Sequence, residues 1–562
     1  MTTYKLNIFK VILPAVFLLG SCKKFLDVNQ NVNDPVAVPV SILLPDAEKN
    51  LGNALVIGSG LSQDLAVYTH QLSTREAPDQ YGVNGGDFNV QQAWSIWYDG
   101  ALISLDEIIK SATVDGNFQY AGIAKILKAY GYSQFVDVFG DIPFSEANKF
   151  KEGTQFAKFD AAKDIYPALI ALINEGIADL NNPAVNPKTP GPDDVIYGGD
   201  PELWIKAANT IKLKLYTQVR KVQNVQAEVT ALLATPANLI NATDESFLVP
   251  YGPQGATDDR NPGFGDYYAT QRSNHISPWF YEIMKGYNPN IFTNNPDPRV
   301  KYYIYNQMKA TTAPREGNQT EYRDGPFVSI YFGSVGVDRD RNQQGTISVL
   351  GIYPVGGRYD QGDGLNVTSS DATGAAPYRL ITYADRLYLE AELINIGLAT
   401  GDAKAKLQAA IKESFRQVDY VVSNFVKPAQ TVPSIVGTGA DTTYTKKVLA
   451  EYDAGSADRK LEIIMTEKWL SNYGSAVDQY TDYRRTGYPI LFDPKNTTMA
   501  PGGKVQPPIN GDPVNPGVQK PVPVQLSLTY PLSLPWSTSE LEKNQSAPPQ
   551  KNPQSYKIFW QP

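Results

Sequence analysis

Residues 117–136 read NFQYAGIAKILKAYGYSQFV, and this stretch decides the fold class of the chain. Its apolar residues recur at steps of three and four positions, which is the period of an amphipathic helix. Residues 89–113 carry the same period, with Trp94 and Trp97 among their apolar residues. Gly116 lies between the two stretches, so we predict that they form an antiparallel helical hairpin.

Similar stretches recur along the chain. A helix hairpin cannot bury its apolar face alone, so hairpins of the tetratricopeptide type are expected to stack on one another. We predict a mostly α protein with such hairpins over about 43–248 and 377–487. The further stretches with helical period are 159–180, 200–222, 378–396, 402–422, 457–473 and 476–485, and 43–72 looks helical in pieces.

Residues 249–376 have a different composition, rich in Gly, Asn, Asp, Pro and Tyr and mostly without helical period. Residues 490–562 are also irregular, with recurring Pro and Gly. Long irregular segments usually carry function or are disordered, and the many aromatic residues argue against disorder. We therefore predict that residues 43–562 form a single large body and that these two loop-rich segments face the ligand.

The chain begins with the pattern of an export signal. Lys5 and Lys10 are followed by an apolar run over 11–19, which is too short to cross a membrane as a helix. Leu-Gly-Ser-Cys then ends at Cys22, the single cysteine of the chain, and resembles a bacterial lipobox. We predict a signal peptide over 1–21 and a lipidated tether over 22–42. An ordinary secretory peptide with an incidental thiol is the alternative.

The charge and the histidine count exclude several function classes. Removal of the signal peptide takes away two lysines and changes the net charge from −8 to −10, which disfavours nucleic-acid binding. The membrane contact is therefore expected to come from the lipid rather than from a basic face. The chain has only two histidines, His70 and His275, which argues against a Ser-His-Asp enzyme or a multi-histidine zinc site.

Pairs of acidic residues leave a carboxylate-only glycosidase open. That chemistry needs two carboxylates facing each other across a cleft. Glu390 and Glu392 would point to different sides of a helix, and Asp137 and Asp141 flank a turn. We therefore favour capping and turn roles for these acids.

An oxygen-rich stretch, Asp338 to Asn342, resembles the start of a calcium loop. The glycine and the acid that such a loop needs are replaced by Gln343 and Val349. A solvated charged turn fits better, so we predict no cofactor and no metal, with calcium as a weak alternative.

Aromatic residues in the loops are the candidate ligand contacts. A flat aromatic face packs well against a sugar ring or a peptide bond, while nearby Asn, Asp and Arg supply hydrogen bonds. The same tyrosines would equally serve to fix the loops to the body. The candidates are Arg75, Asp79, Tyr81 and Asn84 in one loop, Arg260, Tyr267 and Tyr268 in a second, and Tyr331 with Phe332 in a third.

Several segments resemble the SusD/RagB family of outer-membrane lipoproteins and occur in the order that the family has them. The segment 126–147, ILKAYGYSQFVDVFGDIPFSEA, is similar to the family's most recognisable part. Near the C-terminus the family has Arg-Leu-Pro-Tyr-Pro, but residues 533–537 read SLPWS, so the arginine is missing. The other similar segments are 21–27, 197–215, 387–392, 466–469 and 482–489.

The resemblance implies a body of tetratricopeptide-like hairpins on the surface of a Gram-negative cell, anchored in the outer membrane by its lipid. It implies a SusC-like TonB-dependent barrel as partner, with this protein as its lid. In the Phe-Gly-Asp-Ile-Pro motif, Gly140 and Pro143 would shape a turn and Asp141 would cap the next element.

The residues and the resemblance together predict a non-catalytic nutrient-binding lipoprotein. It would capture an oligosaccharide, or less favourably a peptide, and pass it to the transporter. A surface glycosidase using paired carboxylates is the alternative function. A structural assembly subunit without affinity for small ligands is a third.

Overall fold

The computed structural model describes residues 38–74, 77–270, 272–309, 321–334, 345–493, 496, 499, 526 and 528–562. The predicted signal peptide, the lipid attachment at Cys22, the candidate Arg75 and the oxygen-rich turn at 338–342 lie outside the described residues.

Helices make up most of the regular structure, as predicted. Two stretches of π-helix, Ile96–Leu102 and Val422–Val426, interrupt or extend the α-helices. In the described residues the α-helices are α1 Val40–Leu55, α2 Ser62–Tyr68, α3 Phe88–Ser95, α4 Ile103–Asp115, α5 Phe118–Phe139, α6 Ala162–Leu180, α7 Pro201–Val219, α8 Gln226–Leu233, α9 Phe264–Tyr268, α10 Pro278–Lys285, α11 Val300–Tyr303, α12 Ile352–Val355, α13 Tyr383–Asn395, α14 Ala403–Val421, α15 Ala440–Ala454, α16 Ala457–Ser471, α17 Val477–Thr486 and α18 Thr538–Lys543.

The predicted hairpin around Gly116 is confirmed. Helix α4 ends there because Gly116 adopts the left-handed conformation (φ 76°), which favours glycine, and α5 begins two residues later. The predicted single helix over 89–113 is α3, a π-helical stretch and α4 in succession. Helices α13 and α14 pack as another hairpin, so the fold is mostly α with tetratricopeptide-like pairs.

Helices α5 and α6 cross at two glycines. A Cβ atom placed on Gly122 would lie 2.7 Å from the carbonyl oxygen of Gly176, and one on Gly176 would lie 2.8 Å from the oxygen of Gly122. The two backbones can approach this closely only because neither residue has a side chain.

The strands are short and form two-stranded antiparallel ribbons. One ribbon is a hairpin, 321–330, and another pairs the nearby segments 142–143 and 159–160; the other ribbons pair segments that are remote in sequence. The ribbons are β1 Leu72–Thr74 with β5 Asn274–Ile276, β2 Ile142–Pro143 with β3 Phe159–Asp160, β4 Phe247–Val249 with β10 Tyr378–Ile381, β6 Ile304–Tyr305 with β9 Val349–Leu350, and β7 Glu321–Asp324 with β8 Phe327–Ile330.

Several predicted boundaries are wrong. The predicted helix 378–396 starts only at Tyr383, because residues 378–381 pair with β4 and Thr382 forms a capping box with Asp385. The predicted tether to residue 42 ends earlier, since α1 already begins at Val40. The helices α8 and α15 were not predicted.

The loop-rich segment is packed, not open. Tyr303 stacks between Tyr353 and Tyr473 at ring-centroid distances of 5.1 and 5.2 Å. Arg299 is fully buried and forms ion pairs with Asp297 and Glu467. One continuous apolar core therefore joins the hairpins to this segment and to the C-terminal residues.

The acidic pairs have structural partners, as favoured from the sequence. Asp141 Oδ1 accepts a hydrogen bond from the N–H of Ala162 at the first residue of α6. Asp137 accepts from the Trp560 indole at 2.9 Å, which ties the C-terminus to α5. Glu390 and Glu392 each pair with two cationic side chains.

Candidate functional site

An open cleft of about 560 Å³ lies beside the β1–β5 ribbon. Its volume is within the range of small-ligand sites, which is about 300–1,000 Å³. One wall comes from α2 and the start of α3, and the other comes from α9 and the segment that leads into β5. The lining residues are Gly58, Gln63, Asp64, Val67, Thr74, Asp87, Phe88, Asn89, Pro262, Gly265, Asp266, Ala269, Ser273 and Asn274.

Phe88 is the aromatic side chain of the cleft wall, and 71% of its surface is exposed. It is the first residue of α3, and Asp87 precedes it in an extended conformation. The side chain therefore projects from the start of the helix while the buried stripe continues at Val90, Ala93 and Trp94. An exposed ring at the edge of a cleft that carries carboxyl and amide groups offers a flat apolar face to a ligand.

Asp64 is the most buried acid of the cleft. Its Oδ1 accepts a hydrogen bond from Asn89 at 2.8 Å, and its Oδ2 accepts none from the described residues. Burial raises the pKa of Asp64 to about 7; the Asn89 amide lowers it and the charge of Asp87 raises it further. At neutral pH this carboxyl can therefore either donate or accept a hydrogen bond.

Asp87 is held at the cleft by the candidate residue Asn84. The backbone N–H and the side-chain amide of Asn84 both donate to the Asp87 carboxylate, at 2.9 and 2.6 Å. Asn84 itself is exposed and in turn accepts from the N–H of Gly86. The loop that ends at α3 is thus shaped by these polar contacts.

The opposite wall is fixed by amides and backbone N–H groups. Gln63 and Asn274 exchange two side-chain hydrogen bonds at 2.8 and 3.2 Å, which join α2 to β5. Asp266 accepts from the N–H groups of Ser273 and Asn274. Burial raises the pKa of Asp266 to about 6, although these N–H groups lower it in part.

The first candidate loop approaches this cleft, but none of its described candidates lines it. Tyr81 is only 6% exposed, adopts a left-handed conformation (φ 58°) and bonds His70 at 3.0 Å. Asp79 is buried and accepts from the N–H of Gly333. Among the described candidates of this loop, Asn84 remains at the surface.

The second candidate cluster lies on and before α9. Tyr267 is buried, and its hydroxyl donates to Asp371 at 2.9 Å. Arg260 pairs with Asp258 and lies over the half-buried ring of Tyr268, at 5.5 Å from the centroid. These contacts hold α9 in place, and Asp266 of the same helix lines the cleft.

The third candidate cluster is buried next to the β1–β5 ribbon. Tyr331 and Phe332 are 0 and 1% exposed, and the ring centroids of Phe332 and His70 lie 4.0 Å apart. The rings of Tyr81 and Tyr267 are buried as well, so these four aromatic candidates do not present exposed faces as expected for ligand contacts. They hold the loops to the core instead. A direct contact between ligand and these candidates stays a prediction.

The sequence reasoning missed Phe88, Asp64, Asn89 and Gln63. Phe88 stands at the junction of loop and helix and off the apolar stripe of α3, which is a signal for exposure. Gln63 and Asp64 lie on α2 and Asn89 lies on α3, and nothing in the spacing of the two helices along the chain shows that the fold brings them together.

Within the described residues, no group of three or more His, Cys, Asp and Glu side chains is arranged to hold a metal ion. The described helices also contain none that is long and apolar enough to cross a membrane.

A family profile described as SusD-like, starch-binding associating with outer membrane, matches residues 32–508. The chain belongs to the SusD-like family. Solved structures show the same fold. A SusD/RagB family protein from Bacteroides thetaiotaomicron superposes with a TM-score of 0.63 at 18% identity, over 93% of this chain and 99% of that one.

Two further structures are similar at comparable coverage. A SusD homologue from Bacteroides fragilis has a TM-score of 0.62 at 18% identity, covering 93% of this chain and 99% of the other. A chitin-binding SusD homologue from Flavobacterium johnsoniae has a TM-score of 0.60 at 17% identity, covering 93% and 98%. None of the curated protein sequences matches this chain.

SusD-like proteins are non-catalytic binding proteins that are associated with the outer membrane, take nutrients such as glycans and need no cofactor. The family works with SusC-like transporters. This SusD-like chain is therefore a nutrient-binding protein of the outer membrane.

Proposed function

We propose that this SusD-like protein captures an oligosaccharide in the open cleft and passes it to a SusC-like TonB-dependent transporter. The single observation that carries the proposal is the exposed ring of Phe88 in the wall of a 560 Å³ cleft that also presents carboxyl and amide side chains. A sugar presents an apolar face of C–H groups and a rim of hydroxyls, and the cleft offers a partner for each.

The polar groups of the cleft suit hydroxyls better than charges. The carboxyl of Asp64 accepts or donates near neutral pH, and the amides of Gln63, Asn89 and Asn274 can do both. Among the described residues, the lining has no Lys or Arg that would select an acidic ligand. We therefore favour a neutral oligosaccharide over a peptide as the ligand.

The attachment to the cell surface is proposed to be a lipid on Cys22, with residues 1–21 as the signal peptide. The described residues give no helix that crosses a membrane, and the lipobox-like Leu-Gly-Ser-Cys sequence supplies an anchor. The protein would then stay beside the barrel that receives its ligand.

The experiment uses the mature chain without lipid, with Cys22→Ser. Because two structural relatives are described as chitin-binding, N-acetylglucosamine oligomers are tested first, followed by starch and other neutral glycans. Phe88→Ala should weaken binding of the best glycan about ten-fold or more, since the stacking face is lost and ten-fold is about 1.4 kcal/mol. Binding is measured by isothermal titration calorimetry.

Phe150→Ala is the matched control, because Phe150 is another phenylalanine with 73% exposure that does not line the cleft. It should bind the glycan as the wild type does. Equal affinity of the Phe88 variant and the wild type would contradict the proposed site. A rise in reducing ends during incubation would contradict capture without hydrolysis.

A further inference from the structure

A second, smaller pocket lies apart from the open cleft and shares no lining residue with it. Its volume is about 10 Å³, which is room for one water-sized group. We call it the aromatic pocket. Its wall consists of Ser277, Pro278, Trp279, Glu282, Tyr322, Tyr331, Phe332 and Phe492.

Among the described residues, Glu282 is the one charged side chain in this wall. It projects from α10, is only 5% exposed, and forms no ion pair with the described residues. An ionised carboxylate without a counter-charge is costly to bury. Burial raises the pKa of Glu282 to about 8; the Tyr322 hydroxyl lowers it in part and the charge of Asp324 raises it.

Three hydroxyls of the wall also lack partners. Ser277 Oγ and the hydroxyls of Tyr322 and Tyr331 are buried and form no hydrogen bond within the described part of the protein. Buried polar groups are nearly always hydrogen-bonded, so unpaired ones require an explanation. Here they lie in the same wall as a buried carboxyl without a counter-ion.

Apart from Pro278, the rest of the wall is aromatic. Trp279 and Phe492 lie 5.7 Å apart between ring centroids, and Phe332 completes the wall with the two tyrosines. Ring faces carry negative potential and attract a cation within about 6 Å. Aromatic walls combined with one carboxylate are the arrangement that recognises an organic ammonium ion.

We infer that the aromatic pocket binds the ammonium head group of an organic amine, with Glu282 as its counter-ion. An –NH₃⁺ group is about the size of a water molecule and has three donors, which the carboxylate and two of the three unpaired hydroxyls can accept. A whole sugar ring does not fit. The ligand therefore carries a primary amine at one end, as an amino sugar or a peptide N-terminus does.

Binding of such a group has a second consequence. Near pH 7 the free Glu282 carboxyl is mostly protonated, because its pKa is about 8. A bound ammonium ion favours the carboxylate, so the proton leaves as the amine enters. Binding at pH 7 should release close to one proton per site.

The test titrates five probes into the mature chain: ethylammonium, ethanol as its uncharged counterpart, glucosamine trimer, triglycine amide and N-acetylglucosamine trimer. The proton count comes from calorimetry in buffers of different ionisation enthalpy. We expect ethylammonium and at least one of the larger amines to bind with proton release. Which of those two binds identifies the source of the amine. The acetylated trimer should bind without proton release.

Glu282→Gln should weaken amine binding at least ten-fold and abolish the proton release, because the amide keeps the shape but has no charge. Glu282→Gln should leave binding of the acetylated trimer unchanged. Phe88→Ala should weaken binding of the acetylated trimer and leave amine binding unchanged. The amine site and the oligosaccharide site can therefore be refuted independently of each other. Glu152→Gln, an exposed acid outside the pocket, is the control. Equal binding of ethylammonium and ethanol by the wild type, or amine binding unchanged in Glu282→Gln, would overturn the proposal.

Discussion

At the scale of single residues, Glu392 shows how the core holds charge. Its carboxylate is fully buried between Arg220, at 2.6 Å, and Arg485. Burial alone would raise the pKa of Glu392, but the two guanidinium groups together lower it to about 2. A lowered pKa adds stability that is present above the unfolded value, near 4.5, and is lost as the pH falls toward 2.

Glu392→Gln should therefore reduce the free energy of unfolding at pH 7 by about 3–5 kcal/mol, because two buried guanidinium groups lose a shared counter-charge. Urea denaturation at pH 7 and pH 3 measures this. The deficit should shrink at pH 3, where the wild type has already lost part of the contribution. The exposed Glu542→Gln serves as control, and a deficit that is equal at both pH values would contradict the assignment.

The candidate site was only partly predictable at this scale. The loops that flank the cleft could be found from their composition, because Gly, Asn, Asp and aromatic residues concentrate there. Which ring faces outward could not, because an irregular segment has no period that fixes the side of each residue. Tyr81 turns inward through a positive φ, whereas Phe88 points outward from a helix start.

At the scale of elements, the contact of Gly122 with Gly176 sets the distance between α5 and α6. Alanine has the higher helix propensity, by about 1 kcal/mol. Nevertheless, Gly122→Ala and Gly176→Ala should each destabilise the protein by about 1–3 kcal/mol, because each new methyl group meets the facing carbonyl oxygen and forces the helices apart. Thermal unfolding measures the effect.

Gly265→Ala is the matched control for these variants. Gly265 is also helical, and a Cβ atom there would meet no atom within 4 Å. Its replacement should leave the melting temperature unchanged or raise it. Stabilisation by Gly122→Ala would show that the two helices are not in tight contact.

Helices were predicted well where the apolar period is long, as in α5, α6 and α14. The ribbons were not predicted, because strands of two to four residues leave too short a pattern and their partners are remote in sequence. The start of α13 was missed although Thr382 and Asp385 have the spacing of a capping box. Helix α15 was missed because most of its residues are polar.

At the scale of the whole molecule, the C-terminal segment 528–562 closes the body. Trp560 is fully buried, donates its indole N–H to Asp137 of α5, and lies 5.0 Å from the guanidinium of Arg484 of α17. Leu534 adds a backbone hydrogen bond to Val138. The last residues thus connect two distant helices.

Trp560→Ala should lower the free energy of unfolding by about 3–5 kcal/mol, because a large buried side chain is lost and Asp137 loses a donor. Chemical denaturation followed by circular dichroism tests this. Ser555→Ala, at an exposed position of the same segment, should change little. If Trp560→Ala behaved like this control, the C-terminus would not be part of the cooperative core.

The two walls of the open cleft belong to parts of the chain about 200 residues apart, 58–89 and 262–274. They meet through the β1–β5 ribbon and the amide pair of Gln63 with Asn274. During synthesis, the first wall therefore leaves the ribosome long before its counterpart exists. A nascent chain that stops short of residue 274 has half a cleft, so the proposed ligand site is completed late. Proteolytic fragments of either half should therefore be unable to compete with the intact protein for its ligand.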